Sequence, residues 1–415
     1  MREWSKWIGV GAAVGVLSAL VPVVQGRVRL DDPLGPLSKR TPEQVLAEPS
    51  GPRLDGLDLE RLQMRPRRVL APLPDGRFAQ TTLDPDVQRA ALAQMKRYQV
   101  PEGGVVMMNV KTGELIAYAS YVATGKSFDV NLRAEAPAAS VFKVVTASAL
   151  IEKGGLNART EQCYHGGRSA VQASDLEDDT KRDKWCATLA MALGRSLNVV
   201  FARLALKHIT QEDLTAMGGA FGFGAPVPFV VPNEAPQIDI PDDRLEYARS
   251  AAGFWHTTLS PLAAVMLAQT VANQGVALEP RIIESVYDGE KRIWTDDPKP
   301  RVLRRAIRES TALELTKMMK ETVANGSAYK QFHDSKGRPF LPGIEVAGKT
   351  GTLTREKLNR HYTWFVGFAP ADHPEVAIAA LVVNTPRWRI KAPLLACNTL
   401  RAHFAKQGRP GVTAP

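Results

Sequence analysis

The stretch Ser140-Val-Phe-Lys143 opens an apolar helical pattern over about residues 140–153, and the rest of the chain is interpreted from it. Residues at i and i+3 of a helix share one face, so the Ser140 hydroxyl and the Lys143 amine can touch. A serine hydroxyl is a weak nucleophile at neutral pH unless a base lies beside it. Burial among apolar neighbours, with a second cation nearby, would lower the pKa of Lys143 enough for it to be that base. The pattern predicts a nucleophile and its base on one helix.

Two further motifs follow in the chain. Ser196-Leu-Asn198 comes 56 residues after Ser140, inside a second helical pattern over about residues 187–206. Lys349-Thr-Gly-Thr352 comes 153 residues after Ser196, on a strand-like run. They add a second hydroxyl, a side-chain amide and a second ammonium group to the candidate site.

Each motif is weak by itself, because the chain contains a second copy of two of them. Lys111-Thr-Gly113 joins two β-rich runs and predicts a hairpin turn. Ser327-Ala-Tyr-Lys330 follows Asn325-Gly326, a helix-stop signal, and is predicted to lie in a loop. Order, spacing and context therefore distinguish the three motifs that begin at Ser140.

In this order the motifs make residues from about 81 to 407 resemble the transpeptidase domain of penicillin-binding proteins, enzymes that cross-link bacterial peptidoglycan. The resemblance covers about four fifths of the chain. It implies an α+β fold, with an antiparallel sheet covered by helices and an all-helical subdomain. Other stretches support it: Thr82-Leu-Asp84, Thr112–Ala117, Phe221–Gly224, Ala272–Gly275 and Trp364–Pro370.

The resemblance implies roles for the catalytic groups. Ser140 is expected to attack the D-Ala-D-Ala peptide of a donor stem, forming an acyl-enzyme and releasing the terminal D-Ala. Lys143 is expected to accept the Ser140 proton. Ser196 is expected to pass a proton to the leaving amine, with Lys349 completing the hydrogen-bonded chain and supplying positive potential.

The resemblance also implies a substrate-binding set. Asn198 is expected to hold the substrate amide, and Thr350 and Thr352, with Gly351 between them, to recognise the terminal carboxylate. The backbone N–H groups of Ser140 and Thr352 are expected to form an oxyanion hole. β-Lactams mimic the D-Ala-D-Ala unit, so they are expected to acylate Ser140.

The sequence departs from the family pattern at two places. Ala139 precedes the nucleophile where the family usually has glycine, and we expect the turn to survive because alanine is small. Gly253-Phe-Trp-His256 replaces a glycine-rich stretch, which reflects either local packing or an altered loop facing the cleft. Trp364 is interpreted as a core residue rather than part of the cleft wall.

The first eighty residues differ in composition from the rest of the chain. Residues 7–24 carry no charge and are flanked by basic residues, and a helix of eighteen residues, about 27 Å long, can just cross a bilayer. Residues 1–26 are therefore predicted to be an uncleaved membrane anchor rather than a cleaved signal peptide. Residues 27–80, rich in proline, are predicted to be a juxtamembrane linker, and residues 81–409 the transpeptidase domain. The expected location is the inner membrane, single-pass, with the catalytic domain in the periplasm.

Composition excludes several other classes. The 415 residues carry a formal charge of +10, but no basic run marks a nucleic-acid arm, so no nucleic-acid partner is expected. The seven histidines show no metal-binding spacing, and we expect neither a metal nor a cofactor. The expected partners are peptidoglycan stem peptides, β-lactam antibiotics, the membrane through the N-terminal helix, and other cell-wall synthesis proteins.

The cysteines and two histidines complete the candidate list. Cys163 and Cys186 could pair outside the cytoplasm, and the sequence leaves this open. Cys397 lies on an apolar helical face and is predicted to be buried and free. His165 and His256 are expected to have structural roles.

Three alternatives stay open beside the transpeptidase. A D,D-carboxypeptidase would release D-Ala to water, and a class D-like β-lactamase or β-lactam sensor would use the same fold. A non-catalytic envelope-binding module is disfavoured because all three motifs are chemically intact. The short linker leaves no room for a glycosyltransferase module, which argues against the bifunctional class.

Overall fold

The computed structural model describes residues 54–167 and 170–415. The strands in these residues are β1 (Gln63–Met64), β2 (Val69–Pro72), β3 (Phe78–Thr81), β4 (Glu102–Asn109), β5 (Leu115–Val122), β6 (Ala136–Pro137), β7 (Glu161–Tyr164), β8 (Trp185–Thr188), β9 (Thr258–Leu259), β10 (Val276–Leu278), β11 (Ile283–Asp288), β12 (Lys291–Thr295), β13 (Val302–Arg305), β14 (Ala347–Arg355), β15 (Arg360–Ala369) and β16 (Val376–Asn384). The helices are α1 (Pro85–Arg97), α2 (Lys143–Glu152), α3 (Leu189–Arg195), α4 (Asn198–His208), α5 (Gln211–Ala220), α6 (Arg244–Ala251), α7 (Pro261–Ala272), α8 (Glu309–Ala324), α9 (Tyr329–Phe332) and α10 (Ala392–Lys406).

A five-stranded antiparallel sheet in the order β14-β15-β16-β4-β5 forms the centre of the fold. Every residue of β16 is buried, because helices cover both faces of the sheet. Ala377 and Ala379 pack in the core that contains α7. Ile378 and Ala380 point the other way, into the core that contains α1 and α10. This burial on both faces explains why the strand reads as a continuous apolar run.

The structure confirms the predicted α+β class, with antiparallel sheets and covering helices. The β4–β5 hairpin turns at Lys111–Gly113 as predicted, and α1 begins after Asp84, whose carboxylate accepts the N–H groups of Asp86 and Val87. The helical region between β5 and β10 is not purely helical. The strands β7 and β8 form a hairpin within it, because the cysteine-containing segments pair with each other.

Residues 54–80 differ from the linker that the sequence predicts. The strands β1, β2 and β3 join β11 and β12 in a second five-stranded sheet, and Leu54, Leu57 and Val69 are buried in the main core. The partner strand β11 lies about 200 residues away in the chain, so local patterns could not reveal this pairing. The predicted anchor and the linker up to residue 53 lie outside the described residues. Among the helices that the structure describes, none combines the length and the apolar composition that a bilayer crossing needs.

The hairpin β7–β8 places Cys163 directly opposite Cys186, and the two sulfurs form a disulfide bond. The loop that this bond closes is also held by Arg203 of α4, which is fully buried and donates to the carboxylate of Asp183. Cys397 is buried and free, as predicted. The disulfide therefore fixes the segment that leads directly into α3 and the Ser196 motif.

Candidate active site

The nucleophile segment is a tight turn before α2. Residues 139–142 form one 3₁₀ turn, and Ala139 adopts a left-handed φ of +50°, a conformation that costs a non-glycine residue about 1–2 kcal/mol. The turn survives without glycine, as predicted. Gly253 packs against it so closely that a Cβ there would lie 2.4 Å from the Ala139 carbonyl oxygen and 3.0 Å from the Ser140 Cα. The departure at residues 253–256 therefore begins, at Gly253, directly against Ser140, the predicted nucleophile.

The Lys143 amine lies at the centre of the site, fully buried. Among the described residues its Nζ has three oxygen neighbours. The Ser140 Oγ lies at 2.9 Å, the Asn198 Oδ1 at 2.7 Å and the Ala252 carbonyl oxygen at 2.5 Å. The structure thus brings Ser140, Lys143 and Asn198 into direct contact.

The predicted helix over residues 187–206 is broken at the second motif. Helix α3 ends at Ser196, which has a left-handed φ of +58°, and α4 restarts at Asn198. The break turns the Ser196 hydroxyl toward the third motif, where it accepts a hydrogen bond from Lys349 Nζ at 3.0 Å. Lys349 also donates to the Thr350 carbonyl oxygen at 2.9 Å. A continuous helix could not hold both Ser196 and Asn198 toward the site, because residues at i and i+2 do not share a face.

The strand that carries the third motif lies at an edge of the central sheet, beside the nucleophile turn. A Cβ at Gly351 would lie 3.2 Å from both Trp364 and the Val141 side chain, so glycine permits this close approach. Thr350 is almost buried, whereas Thr352 is exposed. Trp364 is fully buried, which confirms the core interpretation, and its indole N–H donates to the Pro137 carbonyl oxygen at 2.9 Å.

The two buried lysines have strongly altered acidity. Burial, and to a lesser degree the charge of Lys349, holds the pKa of Lys143 well below its usual range. Burial lowers the pKa of Lys349 to about 7. Buried ammonium groups are costly, so burial favours the neutral form of both amines. Lys349 can therefore gain and lose a proton near neutral pH.

A family model of the penicillin binding protein transpeptidase domain matches residues 103–396. The chain belongs to this family. A peptidoglycan D,D-transpeptidase, PbpA of Mycolicibacterium smegmatis, is 29% identical in an alignment 350 residues long that covers 74% of this chain and 68% of that protein. Stage V sporulation protein D of Bacillus subtilis is 26% identical over 336 residues, covering 75% of this chain and 50% of that protein.

Solved structures of penicillin-binding proteins share the fold of this transpeptidase-family member. The D,D-transpeptidase domain of a peptidoglycan glycosyltransferase from Eggerthella lenta aligns with a TM-score of 0.65 and 26% identity, over 80% of this chain and 83% of that one. PBPA from Mycobacterium tuberculosis aligns with a TM-score of 0.64 and 22% identity, over 79% and 82% of the two chains.

Sequence reasoning missed two participants in the site. The backbone carbonyl of Ala252, a partner of Lys143, leaves no signal in the residue type. The second Ser-x-x-Lys match did give a signal. Its Ser327 lies in a turn as predicted, whereas Lys330 lies in the short helix α9 and not in a loop, and the Ser327 hydroxyl contacts Thr350. His165 contacts the carboxylate of Asp183, and His256 contacts that of Glu246, so each has a polar partner of the kind expected for a structural histidine.

The altered pKa of Lys349 predicts a pH-dependent cost in stability. The unfolded chain keeps the Lys349 proton up to about pH 10.5, whereas the folded protein releases it near pH 7. Between these values the unfolded state binds more protons, so this residue makes stability rise with pH. We expect Lys349→Met, measured by urea unfolding, to gain stability relative to the parent at pH 7 and to lose most of that gain at pH 9.5. Lys330→Met, at an exposed position, is the control; a gain for Lys349→Met that is equal at both pH values would contradict the prediction.

Proposed function

We propose that this protein is a peptidoglycan D,D-transpeptidase that cross-links stem peptides through an acyl-enzyme on Ser140 and is covalently inhibited by β-lactams. The observation that carries the proposal is the contact between the buried Lys143 amine and the Ser140 hydroxyl, which the neutral form of the amine can make as an acceptor. A neutral lysine has two N–H donors and one lone pair. Two of its three oxygen neighbours, Asn198 Oδ1 and the Ala252 carbonyl, can only accept, so they take the two N–H groups.

The third neighbour of Lys143 is the Ser140 hydroxyl, at 2.9 Å. With both N–H groups engaged elsewhere, the lone pair of the amine faces this hydroxyl and can take its proton. The Ser140 oxygen then attacks the carbonyl carbon of the penultimate D-Ala. The C–N bond breaks, the terminal D-Ala leaves, and an ester to Ser140 remains.

The leaving amine needs a proton, and the second and third motifs supply a path for it. Lys349 donates to the Ser196 hydroxyl at 3.0 Å, so Ser196 can pass its own proton to the leaving group and be reprotonated from Lys349. A second stem peptide then attacks the ester with its side-chain amine and restores Ser140. These assignments make Ser196 and Lys349 the path by which the leaving amine receives its proton.

Substrate recognition falls to Asn198 and the β14 strand. Asn198 can hold a substrate amide through its side-chain N–H₂, since its oxygen is bound by Lys143. Thr350 and Thr352 recognise the terminal carboxylate on either side of Gly351. The backbone N–H groups of Ser140 and Thr352 form the oxyanion hole, where one donor typically contributes about 3–4 kcal/mol to catalysis.

The location proposed for the enzyme is the outer face of the inner membrane. An anchor at residues 1–26 and a linker that ends near residue 53 would place the folded part beside its polymeric substrate. The Cys163–Cys186 disulfide supports an oxidising compartment such as the periplasm. Other cell-wall synthesis proteins are the partners expected there.

The test is a cross-linking assay with a donor stem peptide ending in D-Ala-D-Ala and an acceptor stem peptide with a free side-chain amine. We expect one D-Ala released for each cross-linked dimer, identified by mass spectrometry, and a penicilloyl-enzyme that persists for hours. Release of D-Ala without dimer would indicate a carboxypeptidase, and loss of the penicilloyl group within seconds a β-lactamase. Failure of both reactions would leave only a binding module.

A further inference from the structure

Ser327, the serine of the second Ser-x-x-Lys match, lies beside the strand of the third motif. Its hydroxyl oxygen is 2.5 Å from the Thr350 hydroxyl oxygen and 3.2 Å from the Gly194 carbonyl oxygen. The residue is exposed, so this pair of hydroxyls borders solvent next to β14. The partner in its own match, Lys330, is also exposed, and the described hydrogen bonds of Ser327 do not include it. Ser327 is therefore not a second nucleophile paired with a base.

The hydroxyl pair has two protons, and their placement decides what Thr350 can do. The Gly194 carbonyl can only accept, so the contact at 3.2 Å requires the Ser327 proton. In that arrangement Thr350 donates to Ser327 and has no proton left for a ligand. In the other arrangement Ser327 donates to Thr350, and the Thr350 proton is free to point elsewhere.

The second arrangement costs little, because the Gly194 carbonyl keeps another donor. The backbone N–H of Ser327 donates to the same oxygen at 3.0 Å, so turning the hydroxyl away leaves the carbonyl satisfied. Short hydroxyl contacts also polarise one another, so a Thr350 hydroxyl that accepts from Ser327 is a stronger donor to an anion. The geometry favours this switch whenever a carboxylate approaches Thr350.

We propose that Ser327 is a positioning residue for the ligand carboxylate: it donates to Thr350 so that Thr350 can donate to the carboxylate. The inference rests on the proposed function, in which Thr350 contacts the terminal carboxylate of a stem peptide or a β-lactam. Because Gly194 lies on α3 two residues before Ser196, the same serine also joins the second motif to the third. The role is specific to ligands that carry a negative charge at this position.

The experiment compares benzylpenicillin with its methyl ester, in which the carboxylate is blocked. The second-order rate constant for acylation of the full chain is measured for Ser327→Ala, Ser327→Thr and the control Ser335→Ala, an exposed serine in a loop. We expect Ser327→Ala to lower the constant for the acid by about fivefold, the size of a lost hydrogen bond between neutral groups, and to leave the constant for the ester within about twofold. Ser327→Thr keeps the hydroxyl and is expected to restore the acylation rate constant for the acid.

A double-mutant cycle with Thr350→Val separates this role from a general loss of structure. In the Thr350→Val background, Ser327→Ala is expected to have no further effect on the acid. Equal losses for acid and ester, an unchanged constant for the acid, or additive losses in the double variant would each overturn the proposal. Failure of the proposed function is distinguishable, because it would show as a parent protein that benzylpenicillin does not acylate at all.

Discussion

Ser140→Ala is expected to abolish covalent labelling of the protein by a fluorescent penicillin. The acyl group can form only on an oxygen that loses its proton to a base, and the Ser140 hydroxyl lies 2.9 Å from the buried Lys143 amine. Alanine removes that oxygen and little else, since the turn tolerates a left-handed alanine at the preceding position. Labelling is read by in-gel fluorescence and by the mass added to the intact protein.

Two serines serve as matched controls for this experiment. Ser335→Ala changes an exposed loop position, and Ser327→Ala changes the serine of the duplicate motif. Both variants are expected to reach one acyl group per chain on long incubation, with Ser327→Ala reaching it more slowly. Labelling of Ser140→Ala at the rate of the parent would contradict the assignment of the nucleophile.

Lys143→Met has the second largest expected effect, a loss of about 10²–10⁴-fold in the acylation rate constant, the range typical of a removed general base. The buried amine that faces Ser140 is replaced by an apolar side chain of similar length. Lys143→Arg does not restore the rate, because a guanidinium group cannot give up its proton in a protein. The constants are measured by stopped-flow with a chromogenic cephalosporin.

The pH profile provides an independent readout of the same role. Since the neutral amine is the active form, the acylation constant of the parent rises with pH as Lys143 loses its proton, and burial places this rise well below the usual lysine range. Lys143→Met is expected to lack this rise of the acylation constant with pH. Lys330→Met, which replaces the lysine of the duplicate motif, is expected to keep both the acylation constant of the parent and its rise with pH. If the acylation constant of Lys143→Met still rose with pH over the same pH range as in the parent, the base would be another group.

Local sequence patterns predicted those parts of the fold that depend on near neighbours. The β4–β5 hairpin follows from turn chemistry at Lys111–Gly113, and helix α2 follows from the apolar pattern after Ser140, and both signals act over a few residues. Residues 54–80 could not be assigned in this way. Their strands pair with β11 far along the chain, so their stability comes from contacts that no local window contains.

In the candidate site, too, local features could be predicted, whereas features that depend on distant contacts could not. The sequence alone predicted the contact between the proposed nucleophile and its base, because Ser140 and Lys143 are three residues apart and their contact is local. It did not reveal the helix break at Ser196, where a left-handed residue stabilised by its surroundings overrides a continuous helical pattern. It predicted that Ser327, the serine of the duplicate motif, lies in a loop, but it did not predict the contact between Ser327 and Thr350.

Only the tertiary structure decided the chemistry of the site. It brings Lys349 to Ser196 across 153 residues of chain, and Ser327 to Thr350 across 23. It also buries both lysines among the packed helices and the sheet. Their lowered pKa values follow from that burial, since desolvation depends on every neighbour in space and is not a property of any motif.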